Sequence, residues 1–149
     1  SPDRVALMGA SAGGFTALNV AAHHPDLVAA VIALYPVTDL LDLAATTHRF
    51  ESGDLARLVG PLPDAREHYV ARSPLTHAAA VRAPVLLLQG DEDRVVNAGC
   101  TAAFAAARAR GHDAIVEHHV YAGEGHGWRR AATVADELAR IDAFLSRWC

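Results

Sequence analysis

Ser11 stands in Gly9-Ala10-Ser11-Ala12-Gly13-Gly14, a G-x-S-x-G pattern of the kind that presents a nucleophile. An apolar run, Val5-Ala6-Leu7-Met8, precedes it, and a helix-like run from Phe15 to His24 follows. Strand, tight turn and helix in that order lift a serine hydroxyl clear of the backbone. The serine at so sharp an apex takes a strained conformation, and side chains two residues away on either side are expected to collide. Ser11 then projects from a strand end at the N-terminus of a helix. There the N–H of Ala12 and the positive helix end can stabilise an oxyanion.

A serine nucleophile needs a base and an acid to orient it. Pro84-Val85-Leu86-Leu87-Leu88-Gln89-Gly90 reads as a buried strand running into a glycine turn, and Asp91, Glu92 and Asp93 follow it. The residues alone leave all three open as the orienting carboxylate. His126 sits in Tyr121-Ala122-Gly123-Glu124-Gly125-His126-Gly127-Trp128, a glycine-rich loop after a strand and before the last helix. The chain order Ser, acid, His is that of α/β-hydrolases and not of the chymotrypsin or subtilisin arrangements.

These motifs resemble the C-terminal part of the catalytic domain of the prolyl oligopeptidase family of serine peptidases, near its acylaminoacyl-peptidase and dipeptidyl-peptidase-like members. The resemblance covers essentially all 149 residues, and Ser73-Pro74 and Ala83 to Gly90 add to it. It implies the C-terminal portion of an α/β-hydrolase fold, with a mostly parallel sheet covered by helices on both faces. It also implies the roles. Ser11 attacks a carbonyl, His126 moves the proton, and Asp93, third after Gly90, holds the imidazole tautomer. In related peptidases an arginine near the acid can bind a substrate carbonyl, which makes Arg94 a substrate-binding candidate. The family commonly has proline where this chain has Asn97 and histidine where it has Gln89; neither position is expected to touch a reacting group. The implied substrate is a peptide or small acyl compound, and no cofactor is implied.

The other eight histidines read as ordinary residues. His23 and His24 end a helix before Pro25, where polar or cationic side chains suit the carbonyl end. His118 and His119 are neighbours on a strand and point to opposite faces, so they cannot share a metal. No Cys/His spacing resembles a zinc site, and no metal is expected. With 52% hydrophobic and 20% charged residues the composition is that of a folded globular domain. All 13 basic residues are arginine, and a net charge of −4 without a basic stripe argues against nucleic acid. No apolar run reaches the roughly 18 residues of a membrane span. Cys100 and Cys149 do not make a disulfide framework, so the expected setting is reducing and cytoplasmic.

To position these residues the sequence supplies strands over Arg4–Met8, Leu27–Leu34, Val85–Gln89 and Ala114–Tyr121, and helices over Ala12–His24, Ala98–Arg110 and Ala131–Trp148. Alternating apolar strands and amphipathic helices predict a parallel sheet in one α/β unit. Val134, Leu138, Ile141, Leu145 and Trp148 give the last helix an apolar stripe. From about 36 to 84, proline, glycine and polar punctuation predicts short helices joined by turns. By analogy such an insertion overhangs the site, making Phe50 and Tyr69 pocket candidates; Trp128, beside the histidine loop, is another. The strand before Ser11 lies inside the sheet in α/β-hydrolases, so residues 1–149 alone are expected to expose an apolar edge there and to self-associate or hydrolyse feebly. The second oxyanion donor comes from an upstream loop in that fold. Two other functions compete with a peptidase: an esterase or thioesterase with the same triad, and a non-catalytic fragment of the same fold.

Overall fold

A computed structural model of the chain describes residues 5–46 and 52–149; Phe50, and Arg4 where the first strand was expected to begin, lie outside them. Four strands, β1 (Ala6–Ala10), β2 (Ala30–Leu34), β3 (Val85–Gly90) and β4 (Val116–Tyr121), form one sheet in the order β1-β2-β3-β4. Every pairing is parallel, with Ala6 opposite Ala30, Val31 opposite Val85 and Val85 opposite Val116. All five residues of β2 and all six of β3 are buried, as strands covered on both faces require.

Alternation along the strands divides two cores. Val31, Ala33, Val85 and Leu87 face Leu18 and Ala21 of α1 (Ala12–His23) and Phe104 of α5 (Ala98–Arg108). Ala30, Ile32, Leu34, Leu86 and Leu88 face Ile141 and Phe144 of α6 (Ala131–Trp148). The connection from β2 to β3 holds α2 (Leu40–Thr46), α3 (Ser52–Val59), α4 (Arg66–Arg72) and a 3₁₀ segment, Pro74–Ala80. Its first helices make a third apolar cluster, in which Val37, Leu40, Tyr69 and Val96 are buried.

Several expected boundaries move. β1 runs on to Ala10, which carries Ser11 directly off the strand end, and β2 starts only at Ala30 because Pro25-Asp26-Leu27 turns and leaves Leu27 exposed. The stripe expected on α6 is also out of phase. Ile141 and Phe144 are buried and Leu145 and Trp148 pack beside them, whereas Val134 is exposed and Leu138 is 61% exposed. Residues of the first turns that face the sheet are instead polar: Thr133 is buried, and Asp136 accepts from Tyr121 Oη at 2.9 Å. Near its start the helix meets Tyr121 at the end of β4, and it reaches the apolar core only further along. Among the described residues β1 pairs with β2 alone, and Val5 and Met8 are 45% and 55% exposed.

Parallel strands put all four C-terminal ends on one side of the sheet. Ser11 follows β1, Tyr35 follows β2, Asp91 to Asp93 follow β3, and the loop to His126 follows β4. Open α/β sheets bind ligands on that side.

Candidate active site

Ser11 occupies the left-handed region, with φ 54° and ψ −116°. A non-glycine residue holds that conformation only where its surroundings enforce it. Here the Ser11 N–H donates to Leu34 O at 2.9 Å, and Ser11 O accepts from Phe15 N at 3.1 Å and Val37 N at 3.3 Å. The glycines divide the work unevenly. A Cβ on Gly9 would lie 2.3 Å from the backbone of Gly13, and one on Gly14 would lie 2.7 Å from Pro36 Cβ. A Cβ on Gly13 would meet nothing within 4 Å. The close approach expected at two residues on either side therefore holds before the serine; after it, the glycine that packing requires is Gly14.

His126 Nε2 lies 2.9 Å from Ser11 Oγ, and its Nδ1 lies 2.8 Å from Asp93 Oδ2. The imidazole keeps 23% exposure while the Asp93 side chain has none. Asp93 is an acceptor on every lone-pair side. Val95 N and Val96 N donate to Oδ1 at 2.8 and 2.9 Å, and Gln89 Nε2 donates to Oδ2 at 3.0 Å beside the imidazole. A carboxylate so surrounded is fixed in direction. Asp91 faces elsewhere, its Oδ1 accepting from Gly123 N at 2.6 Å. Glu92 binds through its backbone, donating N–H to Glu124 O at 2.9 Å. Of the three acids, only Asp93 meets the histidine.

The acid loop and the histidine loop pack directly on each other. A Cβ on Gly90 would come within 2.3 Å of Glu124 O, so only glycine lets them meet. Glu124 is buried and accepts from Arg129 N at 2.9 Å, and from Arg130 N and Nε at 3.1 Å each. Those backbone donors, Arg129 N–H foremost, and the Thr133 hydroxyl hold its carboxyl down to about 2. Arg130 also donates to Ala122 O, closing the loop around Gly123.

Aromatic rings brace the imidazole from behind. Tyr35 is 4.7 Å from His126 and 5.2 Å from Trp128, and Trp128 is 4.8 Å from Tyr121, all tilted or edge-on. Tyr35 too has positive φ, 36°, and burial, then the charges of Glu137 and Asp93, push its hydroxyl pKa up.

A cavity of about 740 Å³ opens at Ser11, Ala12 and His126. Phe15, Val37, Leu40, Leu55, Val59 and Val95 are among its walls, which are mostly apolar, and Asp54 and Arg72 are its charged members. A smaller cavity of about 410 Å³ on the other side of His126 is polar, lined by Glu92, Arg94 and Arg129 among others. Ala12 thus sits beside the hydroxyl, and Arg94 flanks the histidine outside the apolar cavity. Tyr69 and Trp128 line neither cavity. Tyr69 is buried in the helical cluster with its hydroxyl donating to Gly60 O at 3.0 Å, and Trp128 stacks between Tyr35 and Tyr121. Their bulk shapes the site's supports and not its walls. No sequence signal marks Tyr35 or Glu124 for the site, and Gln89, expected to touch no reacting group, instead donates to Asp93 Oδ2. Only a glutamine closing an otherwise apolar buried strand hinted at one of them.

A serine on a strained elbow after one parallel strand, with an acid and an imidazole delivered by the ends of two others, defines the α/β-hydrolase class. The chain belongs to the prolyl oligopeptidase family, whose profile matches residues 1–149. The solved structure of a puromycin-hydrolyzing peptidase from Mycobacterium tuberculosis superposes with a TM-score of 0.92 at 39% identity, over 99% of this chain and 22% of that one. Dipeptidyl aminopeptidase BIII of Pseudoxanthomonas mexicana is 32% identical over 151 residues, 97% of this chain and 22% of that protein. The acylamino-acid-releasing enzyme of Mus musculus is 36% identical over 100 residues, 62% of this chain and 14% of that protein. The chain therefore spans 14–22% of the length of these relatives.

Proposed function

We propose that this chain carries the reacting residues of a serine peptidase that cleaves short peptides through an acyl-enzyme. The observation that carries the reading is the unbroken chain Ser11 Oγ, His126, Asp93, with contacts of 2.9 and 2.8 Å. Ser11 Oγ attacks the scissile carbonyl as His126 Nε2 takes its proton, and the proton then passes to the leaving amine. Asp93 holds Nδ1–H, so that Nε2 is free to act as base, and stabilises the imidazolium that forms. The Ala12 N–H, at the start of α1, faces the developing oxyanion. Water then releases the acyl group by the same proton route.

The first cavity supports an acyl side bearing a bulky apolar residue, because most of its walls are apolar side chains that gain by covering one, with Asp54 and Arg72 its charged members. The polar cavity with Arg94 suits the backbone carbonyls of a peptide. The relatives named as peptidases point the same way. An esterase or thioesterase remains the second reading, since the same apolar cavity would hold a plain acyl chain. The cytoplasmic setting read from the sequence is part of this proposal.

The test uses the protein at its full natural length. It is expected to label with a fluorophosphonate and to turn over p-nitroanilides of phenylalanine or leucine well above those of glutamate. Turnover of p-nitrophenyl esters with no p-nitroanilide hydrolysis would move the assignment to the esterase. Failure of folded protein to label would leave a non-catalytic module.

A further inference from the structure

Gln89 is fully buried at the end of a strand whose preceding residues are valine and leucine. Burying an amide is costly unless all its polar atoms are bonded. All are. Nε2 donates to Asp93 Oδ2 at 3.0 Å and is within 3.2 Å of Gly90 O and 3.5 Å of Val96 O. Oε1 accepts from Thr101 Oγ1 at 2.8 Å, and Thr101, on the first turn of α5, is fully buried as well.

An amide can turn over, and here the two orientations are chemically opposite. Asp93 is acceptor-only, so an N–H facing it attracts and an oxygen facing it repels. Groups on both sides select the orientation: acceptors surround Nε2, and the donor that holds Oε1 is on the far side. The Thr101 hydroxyl has one proton, and in a helix it would ordinarily go to the carbonyl four residues back. Here it goes to Gln89 Oε1 instead. That keeps Nε2 on the side of Asp93 Oδ2, Gly90 O and Val96 O.

We propose that Gln89 and Thr101 are positioning residues of the triad: Thr101 sets the Gln89 amide, and the amide aims the Asp93 carboxylate at His126. The hydrogen-bonded chain thus runs five side chains deep, from Ser11 through His126, Asp93 and Gln89 to Thr101 in the core. The inference rests on reading Ser11, His126 and Asp93 as the catalytic triad.

Thr101→Val keeps shape and removes the proton; Thr101→Ser keeps the proton. In the full-length protein Thr101→Val and Gln89→Met should each slow fluorophosphonate labelling roughly 10- to 100-fold, the scale of a small misplacement of reacting groups. The low-field proton resonance of the His126–Asp93 hydrogen bond should shift or vanish in both. Thr101→Ser should restore rate and resonance. Slower labelling with an unmoved resonance, or Thr101→Val labelling at the wild-type rate, overturns the proposal. Should both variants fail to fold, the wild type still decides. Its Gln89 side-chain amide signals must follow the pH titration of the labelling rate, and signals that stay still across it overturn the proposal. An unlabelled wild type would instead sink the hydrolase reading, while its amide and imidazole signals still report whether the chain of hydrogen bonds exists.

Discussion

Asp91 Oδ1 accepts the Gly123 N–H at 2.6 Å, so the loop that delivers the acid also anchors the loop that delivers the histidine. Two carboxylates two residues apart thereby have different work: Asp93 orients the imidazole and Asp91 fixes the distance between the loops. Asp93→Asn should cost about 10⁴-fold in kcat, as the corresponding change does in other triads. Asp91→Asn keeps an acceptor oxygen and should be mild. Asp91→Ala removes it and should lower stability by about 1 kcal/mol, the net worth of such a hydrogen bond. Kinetics and denaturant unfolding of the three variants give the ranking, and the reverse order would reassign the acid.

Ser11→Ala should abolish fluorophosphonate labelling and reduce hydrolysis on the order of 10⁶-fold, as nucleophile removal does in a well-studied serine protease. Ser52, Ser73 and Ser146 lack the strand–turn–helix glycines. Labelling that survives the change would place the nucleophile elsewhere.

The elbow glycines should separate cleanly. Gly13→Ala meets open space inside a helix, where alanine is favoured over glycine by about 1 kcal/mol, so stability should hold or rise. Gly9→Ala drives a methyl into the Gly13 backbone, and overpacking of that kind costs roughly 1–3 kcal/mol or more. Thermal melts that rank the two the other way would mean that the turn is built differently.

Tyr35→Ala removes the ring 4.7 Å behind His126 and should lower kcat on the order of 10²-fold, while Tyr35→Phe keeps the ring and should stay within a few-fold. If Tyr35→Ala reacts at the wild-type rate, the ring does not hold the imidazole.

Glu124 gives the histidine loop a defined acid response. Its folded carboxyl sits at about 2 against an ordinary 4.5, so it binds protons less readily folded than unfolded. Its contribution to stability is complete above pH 4.5 and is lost as pH falls toward 2. Wild type should therefore lose melting temperature over that window more steeply than Glu124→Gln, and the two should converge near pH 2. Parallel curves from pH 7 to 2 would remove Glu124 as the cause.

Much of this was written along the chain. The elbow, the apolar runs of β2 and β3 and the order serine, acid, histidine are local patterns. Strand ends that must emerge on one side of a parallel sheet follow from them. The last helix was legible to the residue at both ends, Ala131 to Trp148, yet its buried face was not. The apolar spacing selects Val134 and Leu138, but near its start α6 faces Tyr121 at the end of β4 with Asp136, and Thr133 is the residue buried there.

Only the tertiary structure decided contacts between distant segments. Three consecutive acids look alike in sequence. A turn in which Val95 and Val96 bond Asp93 points that one at His126, and Gly123 takes Asp91. Tyr69 reads as a pocket residue because its segment is expected to overhang the site, and Trp128 because it borders the histidine loop; an aromatic in either place can face a substrate or a core. Tyr69 is buried in a cluster with Val37 and Val96, and Trp128 packs on Tyr35, all from other parts of the chain. Gln89 and Thr101 lie twelve residues apart on a strand and a helix, and no local periodicity joins them. Sequence pattern records which face an element buries; which polar atoms meet across a closed core depends on how the elements dock, and that is set by packing.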